Sequence, residues 1–406
     1  MLFKDFAQIN PKVDLKKGKT YPYVGMADVN PSRGYVTNSE TREYKNSRSK
    51  FKEGDTLFAR ITPCLENGKI TRFKSDGIKK GFGSTEFFVF RAKEGVSDPN
   101  YVYYLSRSPL IRKTAEKSMA GASGRQRADI SAVEEVEIDP PDLPTQQKIA
   151  SILSAFDDLI ENNSRRIEIL EEMARRIYRE WFVHFRFPGA QGSGEQAIPA
   201  DGKPKMVDSG TELGEIPEGW EVKSFGDLVE YERDRVKDDD VDKKVSVLGL
   251  GDMPKKSITL SEWENTNDIG STKMRFKKDD ILFGKIRPYF HKVGFAQIAG
   301  VCSSDIFVWR PKDDKDFVFA LLIASSDKFV ETATNSSSGT KMPRAKWDVL
   351  EKYLVTYPPE ELLEKLNSLV GSSLKQIRTL SFQNKRLKET RDLLLPKLIS
   401  GKIEVD

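Results

Sequence analysis

The chain repeats itself at a distance too long for a solenoid. The stretch Phe51 to Pro63 (FKEGDTLFARITP) returns as Phe276 to Pro288 (FKKDDILFGKIRP), an offset of 225 residues. Gly83 to Arg91 (GSTEFFVFR) returns as Cys302 to Arg310 (CSSDIFVWR), and Arg127-Ala128 as Arg344-Ala345, the last at an offset of 217. Three collinear blocks with drifting loop lengths mark a domain duplication. Any fold must therefore be built twice and must say what the two copies do to each other.

Each copy reads in two parts. The first is β-rich: Asp55 to Ile61 and Thr85 to Arg91 are short runs of Phe, Val, Ile and Leu bounded by Gly, Asp and Ser. A helix follows, with Asp98 as cap, Pro99 at its first position and Tyr101 to Met119 as its body. It ends at the loop Ala120 to Gly124, matched by Asn335 to Gly339. The second part is a long helix, with Thr145 as its expected N-cap. Its seam is Ile149, Leu153, Phe156, Ile160, Asn163, Ile167, Leu170, Ala174, Ile177 and Trp181, stepping by fours and threes as a heptad does. An offset of 217 gives a second, more polar seam: Leu366, Val370, Ser373, Ile377, Leu380, Asn384, Leu387, Arg391, Leu394 and Leu398, with Pro396 expected to strain or end the last turn. Between the copies, Pro and Gly punctuate a polar connector. The expected layout is 1–143 and 219–360 as β-rich domains, 144–184 and 361–402 as long helices, and 185–218 as connector.

Each heptad stripe needs a partner, and the simplest is the other copy. The expected architecture is α+β: two β-rich domains joined to two long helices that form an antiparallel intramolecular coiled coil with pseudo-two-fold symmetry. If Ile149 faces Leu398, then Leu153 faces Leu394, Ile160 faces Leu387, Leu170 faces Ile377, and Asn163 meets Asn384. An Asn pair in a seam costs stability and fixes register. Thr145 to Phe182, at ~1.5 Å rise, spans on the order of 55 Å, or roughly sixteen base pairs of duplex DNA at ~3.4 Å each.

Composition narrows the chemistry. Two cysteines, Cys64 and Cys302, cannot form a disulfide framework, and a metal site or triad would have to be built from two histidines, His184 and His291. No apolar run approaches the ~20 residues of a membrane span, and no secretory signal opens the sequence, so a soluble cytoplasmic protein is expected. Lys plus Arg is 66 against 62 Asp plus Glu, only mildly basic. No P-loop or dinucleotide fingerprint occurs. Asp139-Pro140-Pro141-Asp142 lacks the aromatic of an adenine methyltransferase motif and, like Tyr357-Pro358-Pro359-Glu360, reads as an elbow before a helix.

Within this two-copy layout, Leu143 to Ile149 (LPTQQKI), Ile216 to Val222 (IPEGWEV), Asp280 to Pro288 (DILFGKIRP) and Gly339 to Arg344 (GTKMPR) resemble the specificity subunits of Type I restriction–modification systems. The resemblance runs the length of the chain, although the first copy has no equivalent of Gly219-Trp220; there Asp5-Phe6 aligns with Asp227-Leu228. It implies two target-recognition domains, each reading half of a split site in double-stranded DNA. The paired helices then serve as spacer and as platform for two adenine methyltransferase subunits, with ATP-dependent restriction subunits as optional members. It also implies no catalytic residues, no cofactor and no metal in this chain.

DNA contacts are expected from Arg33, Arg42, Lys45, Arg48, Arg60 and the Arg125-Gln126-Arg127 loop in the first copy. Lys273, Arg275, Lys285, Arg287, Tyr289, Lys341 and Arg344 are their counterparts in the second. A single basic residue taken alone is more often a solvated surface charge. Arg60 with Lys285, and Arg127 with Arg344, keep a cation at matched places and suit phosphate contacts; copy-specific Arg33, Arg48, Lys273 and Tyr289 suit base edges. The aromatic helix end Tyr178, Trp181 and Phe182 reads either as core against the first globe or as a partner-docking patch. The competing function is a two-headed coiled-coil scaffold that binds only protein.

Overall fold

The computed structural model describes residues 1–37, 40–46, 49–75, 77–122, 124–188, 204–237, 244–337 and 341–405. The chain divides into two compact units, one of Met1–Asn163 with Asn384–Asp406, the other Ser164–Gln383.

In the first unit a one-turn helix, Phe3–Phe6, leads into the edge strand Ala7–Ile9. That strand begins a five-stranded sheet in the order Ala7–Ile9, Phe87–Ala92, Thr56–Ala59, Ile70–Lys74, Tyr35–Thr37. The last pairing is parallel and the others antiparallel. A second sheet orders Thr41–Glu43, Thr20–Val24, Lys80–Gly83, Lys50–Lys52. The second unit repeats the centre of the first sheet: Val229–Glu232, Ile306–Pro311, Ile281–Gly284, Val293–Phe295, again entered through a one-turn helix, Phe225–Leu228. Leu57 opposes Val89 as Leu282 opposes Val308. The same ion pair fastens both sheets. Arg91 binds both oxygens of Asp55 at 2.8 and 2.7 Å, and Arg310 both oxygens of Asp280 at 2.9 and 2.8 Å. In each case the aspartate also accepts a backbone N–H, from Lys52 or Lys277, at 2.7 Å.

The helix expected from Asp98 to Met119 is two helices, Pro99–Arg107 and Pro109–Lys117. Asp98 caps the first, accepting from Asn100 and Tyr101. Pro109, which has no N–H to offer the preceding turn, breaks the run at an extended Ser108. The second copy breaks between Phe317–Ala324 and Asp327–Asn335 without a proline; there Ser326 caps the new helix through Phe329 N–H. His291 braces this gap through a 2.8 Å contact from Nε2 to the Ser325 carbonyl oxygen. The described part of the connector is not featureless: Met206–Asp208 pairs antiparallel with Glu215–Pro217, burying Ile216.

The first long helix runs Leu143–Tyr178 and ends in a wider turn, Arg179–Val183. It starts two residues before Thr145, because Asp142 does the capping and accepts Thr145 N–H at 3.0 Å. The second is Glu360–Leu366, a wide turn Asn367–Gly371, then Ser372–Ile399, which carries Pro396 inside its last turn. Within the first unit the two helices run antiparallel. Ile149, Leu153, Leu395 and Leu398 share one apolar cluster, and Asn384 donates to the Ile160 carbonyl at 3.4 Å. In the second unit Ile167 and Leu170 pack with Leu374 and Ile377.

The polar intrusions in the second seam have partners. Arg391, buried, donates to Asp157 Oδ1 at 2.6 Å. Asp157 Oδ2 accepts from Arg72 at 3.0 Å and from the Tyr104 hydroxyl at 2.7 Å. Arg72 lies between the Tyr35 and Tyr103 rings, 3.9 and 4.3 Å from their centroids. A Cβ on Gly34 would sit 2.4 Å from Asp157 Oδ2, so glycine is required there. Burial alone would weaken Arg391's hold on its proton; the Asp157 and Asp392 carboxylates more than offset it. Asp157→Ala would leave two buried guanidinium groups without their shared carboxylate. We expect a loss of about 3–5 kcal/mol in the unfolding transition of this unit, read by urea denaturation; a loss below ~1 kcal/mol would contradict the role given to Asp157.

Candidate nucleic-acid interface

Both copies build the same loop junction at the end of the same strand. In the first, Ala59 ends its strand opposite Phe87, which sets Arg60 beside Glu86. Arg60 N–H donates to the Glu86 carbonyl at 3.0 Å, and the 120–127 loop returns so that Ala128 N–H reaches the Arg60 carbonyl at 2.8 Å. Thr62 N–H bonds the Gln126 carbonyl at 3.0 Å. In the second copy Lys285 N–H donates to Asp305, Ala345 N–H to Lys285 and Arg287 N–H to Pro343, at 2.8, 3.0 and 2.8 Å. The bridges Ile61 to Arg127 and Ile286 to Arg344 complete the correspondence.

The matched cations Arg60 and Arg127 are thus side by side, and a carboxylate lies between them. Glu86 accepts from Arg60 Nε at 3.3 Å and from Arg127 Nε and Nη2 at 2.9 and 2.8 Å. Arg127, with burial opposing and Arg60 adding, holds the Glu86 carboxyl below its usual range. In the second copy Arg344 Nε donates to Asp305 Oδ1 at 3.2 Å. Lys285 instead reaches the Tyr231 hydroxyl at 3.1 Å and the Ser304 carbonyl at 2.7 Å, over the Phe307 ring. Sequence reasoning found the four cations and passed over Glu86 and Asp305. The signal was available, since both acids stand at one position of the repeated block.

The remaining candidates are scattered. Arg33 faces Glu161 of the first long helix at 3.7 Å. Arg42 forks onto Glu40 at 2.9 Å and lies over Tyr23. Lys45, Arg125 and Lys341 are exposed and Gln126 half-buried; Arg48 lies outside the described residues. Lys273 bonds Ser271, Arg275 pairs with Asp234 at 3.1 Å, and Arg287 reaches the Lys341 carbonyl at 3.2 Å. Tyr289 is exposed, edge-on to Phe290. Among the described residues no three of His, Cys, Asp or Glu are grouped to hold a metal, and no helix is long and apolar enough to cross a membrane.

Two further expectations meet the structure here. Asn163 and Asn384 are both buried, and Asn384 Nδ2 donates to the backbone carbonyl of Ile160, one turn before Asn163. The aromatic helix end is not part of the first globe. Trp181 and Phe182 are buried in the second unit, where Phe182 packs on Phe319 and Trp220 at 4.9 and 5.9 Å between ring centroids and on Tyr178 at 5.8 Å. The physical reason is the antiparallel pairing, which gives the last turns of this helix to the other copy's core.

The profile of the Type I restriction modification DNA specificity domain matches residues 4–172 and again 217–385. The chain belongs to this family. It is 30% identical over 333 residues to the Type I restriction enzyme MjaIX specificity subunit of Methanocaldococcus jannaschii, covering 77% of this chain and 71% of that one. It is 23% identical over 416 residues to the HindI specificity subunit of Haemophilus influenzae, covering 88% of each. The crystal structure of a Type I restriction–modification S subunit from M. genitalium shares the fold, with a TM-score of 0.52, 16% identity, and coverage of 98% of this chain and 95% of that one. Since Trp181 is core, Trp181→Ala should cost about 3–5 kcal/mol of stability in the second unit. A variant with unchanged unfolding, measured by tryptophan fluorescence and circular dichroism, would return the residue to the surface.

Proposed function

We propose that this chain is the DNA-specificity subunit of a Type I restriction–modification assembly, each copy reading one half of a bipartite duplex target. The observation that carries this is the family domain occurring twice, each time with the same cation-bearing loop junction. The duplicated family match also sets aside the protein-only scaffold. Arg60, Arg127, Lys285 and Arg344 are the phosphate-facing cations of this reading, and Arg125, Gln126, Lys341 and Tyr289, exposed or half-buried on neighbouring loops, are the residues placed to meet bases. Methyl transfer then belongs to modification subunits that dock on the chain, and cleavage to ATP-dependent restriction subunits where they join.

Independent reading predicts modularity. Replacing residues 1–141 with the matching segment of another family member, chosen to keep Arg72 and Tyr104 beside Asp157, should change one half of the methylated site and leave the other. Methylome sequencing of a host carrying the chimera and its modification subunits reads this directly, and a change in both halves would refute it.

Docking needs exposed apolar area, which the buried aromatic end does not supply. On the second unit's part of the first helix, Ile169 and Met173 are 59% and 49% exposed and one turn apart. Ile169→Asp with Met173→Asp should weaken association with modification subunits at least ~10-fold, as loss of an interface anchor does, while leaving helix content unchanged. Isothermal titration with wild-type affinity would place docking elsewhere.

A further inference from the structure

The acids beside Arg127 and Arg344 are not required to hold the loops. Backbone bonds from Arg60 to Glu86 and from Ala128 to Arg60 already fix that junction, and Lys285, Asp305 and Ala345 repeat them. The Glu86 and Arg127 side chains are 19% and 45% exposed, and those of Asp305 and Arg344 32% and 52%. Pairs so open to water stabilise a fold by only ~0.2–1 kcal/mol. Yet both copies keep an acid there, Glu in one and Asp in the other, so the charge is repeated while the side chain is not. A carboxylate accepting two parallel N–H bonds from one guanidinium occupies the geometry in which a phosphate binds arginine.

We propose that Glu86 and Asp305 are built-in phosphate surrogates: in the free chain Glu86 fills the Arg127 fork and Asp305 accepts from Arg344 Nε, and both give way to DNA phosphates. This rests on the reading of these loops as DNA-facing. They are positioning residues that keep the arginines aimed and restrain binding to duplex of any sequence. An incoming phosphate exchanges one anion for another, so each surrogate cancels about one charge of the contact.

The test uses the full chain with its modification subunits and a fluorescent duplex lacking the target, titrated at several salt concentrations. Glu86→Gln should raise affinity roughly three- to tenfold and steepen the logarithmic salt slope by about one unit. Asp305→Asn should do the same through the second copy, which keeps the test open if Glu86→Gln fails to fold by circular dichroism. Arg127→Ala should flatten the slope, and Glu86→Gln with Arg127→Ala should lose the gain. If Arg127→Ala flattens the slope while Glu86→Gln and Asp305→Asn leave it unchanged or weaken binding, the acids are structural and the inference fails. If Arg60→Ala and Arg127→Ala leave the slope untouched, the loops do not face DNA, and the reading beneath the inference fails with it.

Discussion

The first unit depends on one buried carboxylate. Asp157 on the first long helix accepts from Arg72 on a sheet strand, from Tyr104 on a short helix and from Arg391 on the second long helix. Four elements meet at a group whose own side chain has no exposed surface. Apolar contacts could hold these elements at several offsets, since a heptad seam tolerates a shift of seven. A buried acid with three donors cannot shift without orphaning charges, at a cost of several kcal/mol. The register of the pair is thus set by electrostatics, and the leucines around it supply the bulk of the burial.

The second unit solves the same problem without charge. Ala174 and Leu374 stand where the repeat offset would place Arg391 and Asp157, and both sit in an apolar cluster with Ile377. The repeat is therefore broken in the seam itself. A helix that carries Arg391 fits the layer containing Asp157, and one that carries Ala174 would leave that acid short of a donor.

Much of this was legible in the residues. The duplication, the sheet blocks, both seams and the matched cations follow from self-comparison and from spacing, because a repeated domain displays its constraints twice. The rest depended on contacts distant in sequence. Arg391 looked like a flaw in its seam because its partner lies 234 residues away. Trp181 and Phe182 read as core of the first globe or as a docking patch, because the core that covers them belongs to the other copy. Local chemistry accounts for smaller differences: Pro109 divides a pattern that reads as one helix, and Asp142 caps where Thr145 is expected. Glu86 and Asp305 stand at one position of the repeated block, so the alignment that yields the cations also holds the acids.

The division of the chain into units has a consequence for synthesis. The second unit is one continuous stretch, Ser164–Gln383, and everything it needs has emerged once that stretch has left the ribosome. The first unit is discontinuous: its globe is made first, but Arg391, Leu395 and Leu398 come from the last stretch. Until then Arg72 and Asp157 face each other without their third partner, and the apolar side of the first helix around Ile149 and Leu153 is uncovered. Domains are generally completed in the order they are made. Here the order is inverted, and the globe translated first is the one finished last.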